Sequence, residues 1–157
     1  MEAAEIKTVD IYTDGACSGN PGSGVVLLYN GARKELSAGY RLTTNNRMEV
    51  LAVIKGLECL KEKCRVNLYS DSKYVVDAVN KGWAKKWQAN GWRKADKTKA
   101  LNVDLWERLL SLLEMHEVKF IWVKGHADNR ENERCDFLAR SAIESGNLIE
   151  DKNYSAV

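Results

Sequence analysis

Hydrophobic residues first change their period along this chain at Thr43-Thr44-Asn45-Asn46, and that switch limits the folds open to it. Before it, apolar, β-branched and aromatic residues form short strand-like runs separated by glycine-rich turns. Beyond it, Val50, Leu51, Val53, Ile54, Leu57 and Leu60 recur at helical spacing to about Lys63, and strand and helix patterns then alternate. The first strand is expected at about Ile6 to Thr13, closed by Asp14-Gly15. A turn over Gly15 to Gly24 leads to a second strand at Val25 to Tyr29. Asn30-Gly31 is a strong hairpin signal, so the third strand, about Lys34 to Leu42, runs antiparallel to the second.

After the first helix come a fourth strand (Val66 to Ser70), a helix from Ser72 to about Asn80, a Trp-rich basic helical segment and a helix from Val103 to His116. A fifth strand (Val118 to Lys124), a polar loop and a last helix (about Asn132 to Glu144) follow. Strands separated by helices need crossover connections, so strands one, four and five are expected to be parallel and central. The expected fold is α/β: a five-stranded mixed β-sheet, an antiparallel meander plus parallel strands, flanked by helices on both faces. With 157 residues and 45% hydrophobic content, one domain over residues 1–157 is expected. Its core covers about 6–145, and the tail 147–157 is expected to be weakly ordered.

Composition excludes some functions. No apolar run reaches transmembrane length, and Met1-Glu2-Ala3-Ala4-Glu5 lacks a basic region before an apolar one, so no membrane partner and a cytoplasmic location are expected. The four cysteines form no C-x-x-C pair and only two histidines are present, so neither zinc nor a disulfide is expected. The net charge of +2 is unevenly spread: Lys81 to Lys99 holds seven basic residues against Asp96 alone, which makes that window +6 and the remainder −4. Such asymmetry points to a basic patch on a mildly acidic body.

Carboxylates recur where the patterns end. Asp14 and Asp71 both close strands expected to be neighbours, and Glu49 falls in line with Val53 and Leu57 on the apolar stripe of the first helix. Ordinary roles exist for each. Asp14 can open a turn, Glu49 fits a capping box with Asn46, Asp71 can cap the helix at Ser72, and Asp136 can pair with Arg140. In a shared pocket these four acids would repel one another unless they bound divalent cations, and all-oxygen ligands favour magnesium or manganese. A metal pair about 4 Å apart is the usual clamp for phosphodiester chemistry. His126, in the loop Gly125-His126-Ala127-Asp128-Asn129, is a candidate to move a proton.

Several stretches then resemble the type 1 ribonucleases H, in their bacterial single-domain form. They are Tyr12-Thr13-Asp14-Gly15 with Gly19-Asn20-Pro21-Gly22, Thr43-Thr44-Asn45-Asn46-Arg47-Met48-Glu49, Ser70-Asp71-Ser72, Asn102-Val103-Asp104-Leu105-Trp106, Trp122-Val123-Lys124-Gly125-His126-Ala127 and Glu131-Asn132-Glu133-Arg134-Cys135-Asp136. The resemblance implies an endonuclease that hydrolyses the RNA strand of RNA–DNA hybrids without sequence preference, leaving 5′-phosphate and 3′-hydroxyl ends. It implies two magnesium ions, with manganese as a substitute, held by Asp14, Glu49, Asp71 and Asp136, and a catalytic role for His126. It further implies minor-groove contacts from Asn20, Asn45 and Asn46, assisted by the backbone at Gly15 and Cys17, and a DNA-phosphate pocket from Thr44, Arg41 and Asn20.

Gly15 is expected to let the hybrid backbone approach the metals. The Trp-rich segment resembles the family's basic handle, with Trp83, Lys85, Lys86, Trp87, Trp92, Arg93 and Lys94 as hybrid contacts, although core packing is expected for part of each indole ring. Two departures from the family pattern stand out. The turn after Asn20 is about three residues short, and Lys73 stands where glutamine is common, adding charge near the hybrid. A monomer is the default expectation.

Overall fold

The structure is a computed structural model that describes residues 6–18, 20–41, 43–94, 96–124 and 129–151, the side chains of residues 17, 18 and 20 excepted. The elements in chain order are β1 (Lys7–Ser18), β2 (Asn20–Tyr29), β3 (Ala32–Arg41), α1 (Asn45–Glu58), β4 (Cys64–Ser70), α2 (Lys73–Asn80), α3 (Trp83–Ala89), α4 (Val103–Met115), β5 (Glu117–Trp122), α5 (Arg130–Glu144) and β6 (Leu148–Glu150). The strands form one mixed sheet in the order β5-β4-β1-β2-β3-β6. β1, β2 and β3 make the antiparallel meander, whereas β4 joins β1, and β5 joins β4, in parallel.

Two expectations change. The sheet has six strands rather than five, because Leu148–Glu150 pairs in parallel with Gly39–Arg41. Of the expected tail, Leu148–Glu150 lies in the sheet and Asp151 is held in turn by Arg47 and Thr43, while residues 152–157 lie outside the described residues. In addition, the glycine-rich stretch is not a wide turn. β1 continues to Ser18 and β2 begins at Asn20, with Gly15 opposite Ser23 and Asp14 opposite Gly24.

These glycines serve helix packing. A Cβ on Gly24 would lie 2.1 Å from the Cys135 carbonyl oxygen of α5, and one on Gly22 would lie 2.6 Å from that of Ala139. Small residues let the α5 backbone rest directly on β2. On α1, a Cβ at Gly56 would lie 2.9 Å from Ile11 and 3.2 Å from Val25. Side chains of neighbouring strand residues point to opposite faces, so Gly24 meeting α5 and Val25 meeting α1 puts the two helices on opposite sides. Helices thus cover both faces, as expected.

The main core lies on the α1 side and joins Val9, Ile11, Val25, Leu27, Val66, Leu68 and Phe120 of the sheet to α1, α2 and α4. α1 is apolar nearly all round because it lies between the sheet and α4, and residues 47 to 54 are buried without a break. The helix ends at Glu58, earlier than its apolar spacing implies, because Cys64 already pairs with Lys7 in the β1/β4 ladder and the intervening residues must turn.

Helix approach and turn strain predict different costs for glycine replacement. Gly24→Ala should destabilise the fold by at least about 2 kcal/mol, because backbone rather than a flexible side chain blocks the new methyl. Gly31, at φ +81° with open space around its Cβ direction, should cost only about 1 kcal/mol as alanine. Thermal unfolding should register a loss of at least about 4 °C for the first and about half that for the second. Equal losses would refute close packing as the reason for Gly24.

Candidate active site

The parallel β1/β4 ladder ends with Thr13 opposite Ser70, and the next residue on each strand is an acid. Register therefore places Asp14 beside Asp71. β1 itself does not stop at Asp14, as the Asp-Gly pair suggested; it continues against β2, and only its pairing with β4 ends there. The turn-opening role for Asp14 is excluded.

Glu49 reaches the same place from α1. The cap of α1 is Thr44, whose hydroxyl accepts the Arg47 N–H at 3.2 Å, so Glu49 is not spent on a capping box. Its Oε1 instead accepts the Gly15 N–H at 2.8 Å, which joins α1 to β1. The space a Cβ on Gly15 would need is taken by Glu49 itself, 2.9 Å from its backbone nitrogen and 3.0 Å from Oε1. Within the chain, the close neighbour that requires glycine at position 15 is this helix. Asp71 is also free of the capping role, since Ser72 caps α2 by accepting the Val75 N–H at 3.3 Å.

Asp14, Glu49 and Asp71 each offer a carboxylate oxygen within 4.8 Å of the others, the one such group among the described residues. Asp14 and Glu49 are 4% and 3% exposed, while Asp71 is half-buried. Burial, followed by the negative charge of Glu49 and then of Asp71, drives the Asp14 carboxyl well above the usual carboxylate range. Burial and then Asp71 do the same to Glu49. Glu49 Oε2 is buried without a hydrogen-bond partner. A buried, orphaned carboxylate oxygen on one of three clustered acids suits a hard divalent cation, which would supply both the missing ligand bond and the missing charge. Asp136 lies close enough to raise Asp14 further, but it stays outside the three-acid group and accepts from Arg140 Nε at 2.8 Å. Its ion-pair role on α5 is therefore real.

The other candidate residues divide by position. Asn45 and Asn46 are exposed at the start of α1, Arg41 is exposed at the end of β3, and Thr44 lies between them with its hydroxyl engaged in the cap. Cys17 and Asn20 flank the β1–β2 turn, but their side chains lie outside the described residues, as does His126. In the basic segment Trp87 packs edge-on to the fully buried Trp106, with ring centroids 6.0 Å apart, and Trp92 also packs against the core. Trp83 is 41% exposed under the ammonium of Lys81, and Lys85, Lys86, Arg93 and Lys94 are exposed. Trp87 and Trp92 thus anchor a basic segment whose charged side chains face solvent.

Residue-by-residue reading of the sequence did not single out Trp122 or Arg47. The Trp122 indole N–H donates to the Asp71 carbonyl at 3.2 Å, and its ring carries the Lys73 ammonium 4.8 Å from its centre. Trp122 is the register partner of Ser70, a relation that only sheet pairing creates. Arg47 is 3% exposed and binds Asp104 at 2.7 and 2.9 Å and Asp151 at 2.6 and 3.0 Å. Its partners lie more than fifty residues away in the chain.

The raised carboxyls predict a pH dependence. An acid whose folded-state pKa is raised contributes stability below its unfolded value, and that contribution is lost as pH rises through the folded value. In chelator, the unfolding temperature should therefore fall as pH climbs above the ordinary carboxylate range. Asp14→Asn should be more stable than the native chain by about 1–2 kcal/mol at pH 8, and added divalent cation should stabilise the native chain more than the variant. Unfolding scans across pH, with and without cation, test this; an Asp14→Asn variant less stable than native in chelator would refute it.

Comparison with known proteins gives a consistent result. The RNase H family model matches residues 6–144. A ribonuclease H of Desulforamulus reducens is 68% identical over 146 residues, covering 91% of this chain and 92% of that protein. A ribonuclease HI of Synechocystis is 55% identical over 97% of this chain and 98% of its own length. Among solved structures, the crystal structure of LC9-RNase H1, described as a type 1 RNase H with the type 2 active-site motif, superposes with a TM-score of 0.81 at 28% identity, covering 92% of this chain and 75% of that one. With its carboxylates gathered at the end of the β1/β4 ladder, the chain belongs to the RNase H family.

Proposed function

We infer that this chain hydrolyses the RNA strand of RNA–DNA hybrids as a metal-dependent endonuclease, without sequence preference, leaving 5′-phosphate and 3′-hydroxyl ends. The observation that carries the reading is the convergence of Asp14, Glu49 and Asp71 with one buried oxygen of Glu49 unpartnered. High identity to ribonucleases H over most of the chain supports the same reaction. So does the existence of an RNase H1 structure in complex with RNA/DNA hybrid, an example of the same fold.

Asp14, Glu49 and Asp71 would hold two magnesium ions, with manganese as a substitute, and Asp136 would complete the set from α5 once released from Arg140. Bound divalent cations polarise an attacking water and stabilise the leaving 3′-oxygen. The protein's own share is orientation. The Gly15 N–H fixes one oxygen of Glu49 and leaves the other without a partner, while the end of the β1/β4 ladder sets Asp14 beside Asp71. His126, in the segment between β5 and α5, moves a proton toward the leaving group or helps release product.

Asn45 and Asn46 present exposed amides to the ribose 2′-hydroxyls of the minor groove, with Asn20 and the backbone at Gly15 and Cys17 beside them, which separates RNA from DNA by shape rather than by sequence. Arg41 and Thr44 hold a phosphate of the DNA strand with Asn20. Lys73 adds charge at the rim, seated on Trp122. The basic protrusion of Trp83, Lys85, Lys86, Trp87, Trp92, Arg93 and Lys94 grips phosphates through its charged members, its indoles serving mainly as anchors. No helix of the described residues is long and apolar enough to cross a membrane. The working form is one catalytic domain, a monomer, in the cytoplasm.

A strand-labelled assay on hybrid, double-stranded RNA and double-stranded DNA, with and without magnesium, tests the reading. Cleavage confined to the RNA strand of the hybrid and dependent on cation is expected; cutting of DNA, or activity in excess chelator, overturns it. Asp14→Asn should lower kcat by at least about a thousandfold, the scale of losing a metal-held nucleophile, while hybrid affinity stays within a few-fold. Reversing Lys85 and Lys86 to Glu together should weaken hybrid binding at low salt and reduce the slope of log affinity against log salt by about two. An unchanged slope would remove those lysines from the interface.

A further inference from the structure

The resemblance assigns no role to the C-terminal segment, yet the structure ties it to the start of α1. Parallel pairing of β6 with β3 sets Arg41 opposite Glu150 and delivers the next residue, Asp151, to the stretch that enters the helix. Asp151 Oδ2 accepts from Thr43 Oγ1 at 2.6 Å and from Arg47 Nε at 2.6 Å, and Oδ1 accepts from Arg47 Nη2 at 3.0 Å. The Asp151 side chain is 10% exposed and that of Arg47 only 3%, so these are shielded, charge-assisted bonds rather than surface pairs. One carboxylate thus grips the chain on both sides of Thr44-Asn45-Asn46. Within that span Thr44 is committed to the cap, and Asn45 and Asn46 are exposed. Two residues beyond Arg47, Glu49 is fixed to Gly15.

We propose that Asp151 is a positioning residue for hybrid binding, which clamps Thr43 to Arg47 so that Asn45 and Asn46 are held in advance in the geometry they need at the groove. This rests on the hybrid-cleaving reading above. Preorganised contacts bind more tightly because less freedom is lost on association. Asp104 is the natural control, because it holds the same guanidinium from α4 at 2.7 and 2.9 Å and is not bonded to Thr43.

The test is steady-state kinetics of the full chain on hybrid, at saturating magnesium and well below the unfolding temperature, for Asp151→Asn, Thr43→Val and Asp104→Asn. Asp151→Asn should raise KM about tenfold and Thr43→Val about threefold, with kcat within about twofold of native, the pattern of lost binding geometry rather than lost chemistry. Thr43→Val disturbs no charge, so it keeps the test decisive if Asp151→Asn folds poorly. Unchanged KM in Thr43→Val, or a KM increase in Asp104→Asn equal to that in Asp151→Asn and matched to the loss of thermal stability, overturns the proposal as a purely structural effect. A native chain that cuts no hybrid instead overturns the reading on which it rests.

Discussion

Two carboxylates held out of water within reach of a third are the constraint to which the rest of this structure answers. Left to themselves, Asp14 and Glu49 would move away from Asp71 or take up protons, since desolvation and repulsion both work against their ionised forms. They stay together because the elements that carry or flank them are anchored by pairing, burial or capping. β1 is central in the sheet and paired on both sides, α1 is buried almost all round, and α2 is capped one residue beyond Asp71. The repulsion is local, and the elements around it are held by the shared core.

Close backbone approach makes that scaffold rigid. α5 rests on the glycines of β2, α1 comes near enough to β1 for its Glu49 to fill the space above Gly15, and Gly56 lets the same helix sit on Ile11 and Val25. The hydrogen bond from Gly15 to Glu49 and the paired carboxylates on Arg47 then fix how α1 is seated along its axis. The exposed polar and basic residues occupy the margins of this frame: the first turn of α1, the end of β3, and the segment around α3, where Trp87 and Trp92 turn inward while the lysines turn out. The acids thus lie in a buried centre and the exposed polar and basic residues on a rim around it.

Much of this was legible before any coordinates. The Asn30-Gly31 hairpin, the helical spacing of α1, the strand–helix alternation and the meeting of Asp14, Glu49 and Asp71 all follow from local pattern and from the crossover rule for parallel strands. Errors came where a residue serves a distant neighbour. Gly22 and Gly24 read as a turn because glycine is a turn residue in isolation, and the helix they accommodate lies more than a hundred residues downstream. The segment after Asn147 read as a loose tail because three residues carry too little pattern to show a strand. Asn46 and Glu49 had the spacing of a capping box, yet Thr44 holds the cap and Glu49 turns to Gly15.

What the sequence determined by itself is therefore the set of elements, their order and the chemical character of each, because hydrophobic period, turn residues and charge are local properties. Tertiary structure alone decided register and partnership. The end of the β1/β4 ladder puts Asp14 beside Asp71, parallel pairing brings Trp122 to the Asp71 carbonyl, and β6 carries Asp151 to Arg47 and Thr43. Those relations depend on which backbone groups meet across tens of residues. No local spacing encodes that meeting; it is settled when strands and helices find the one arrangement that buries the shared core and satisfies Arg47.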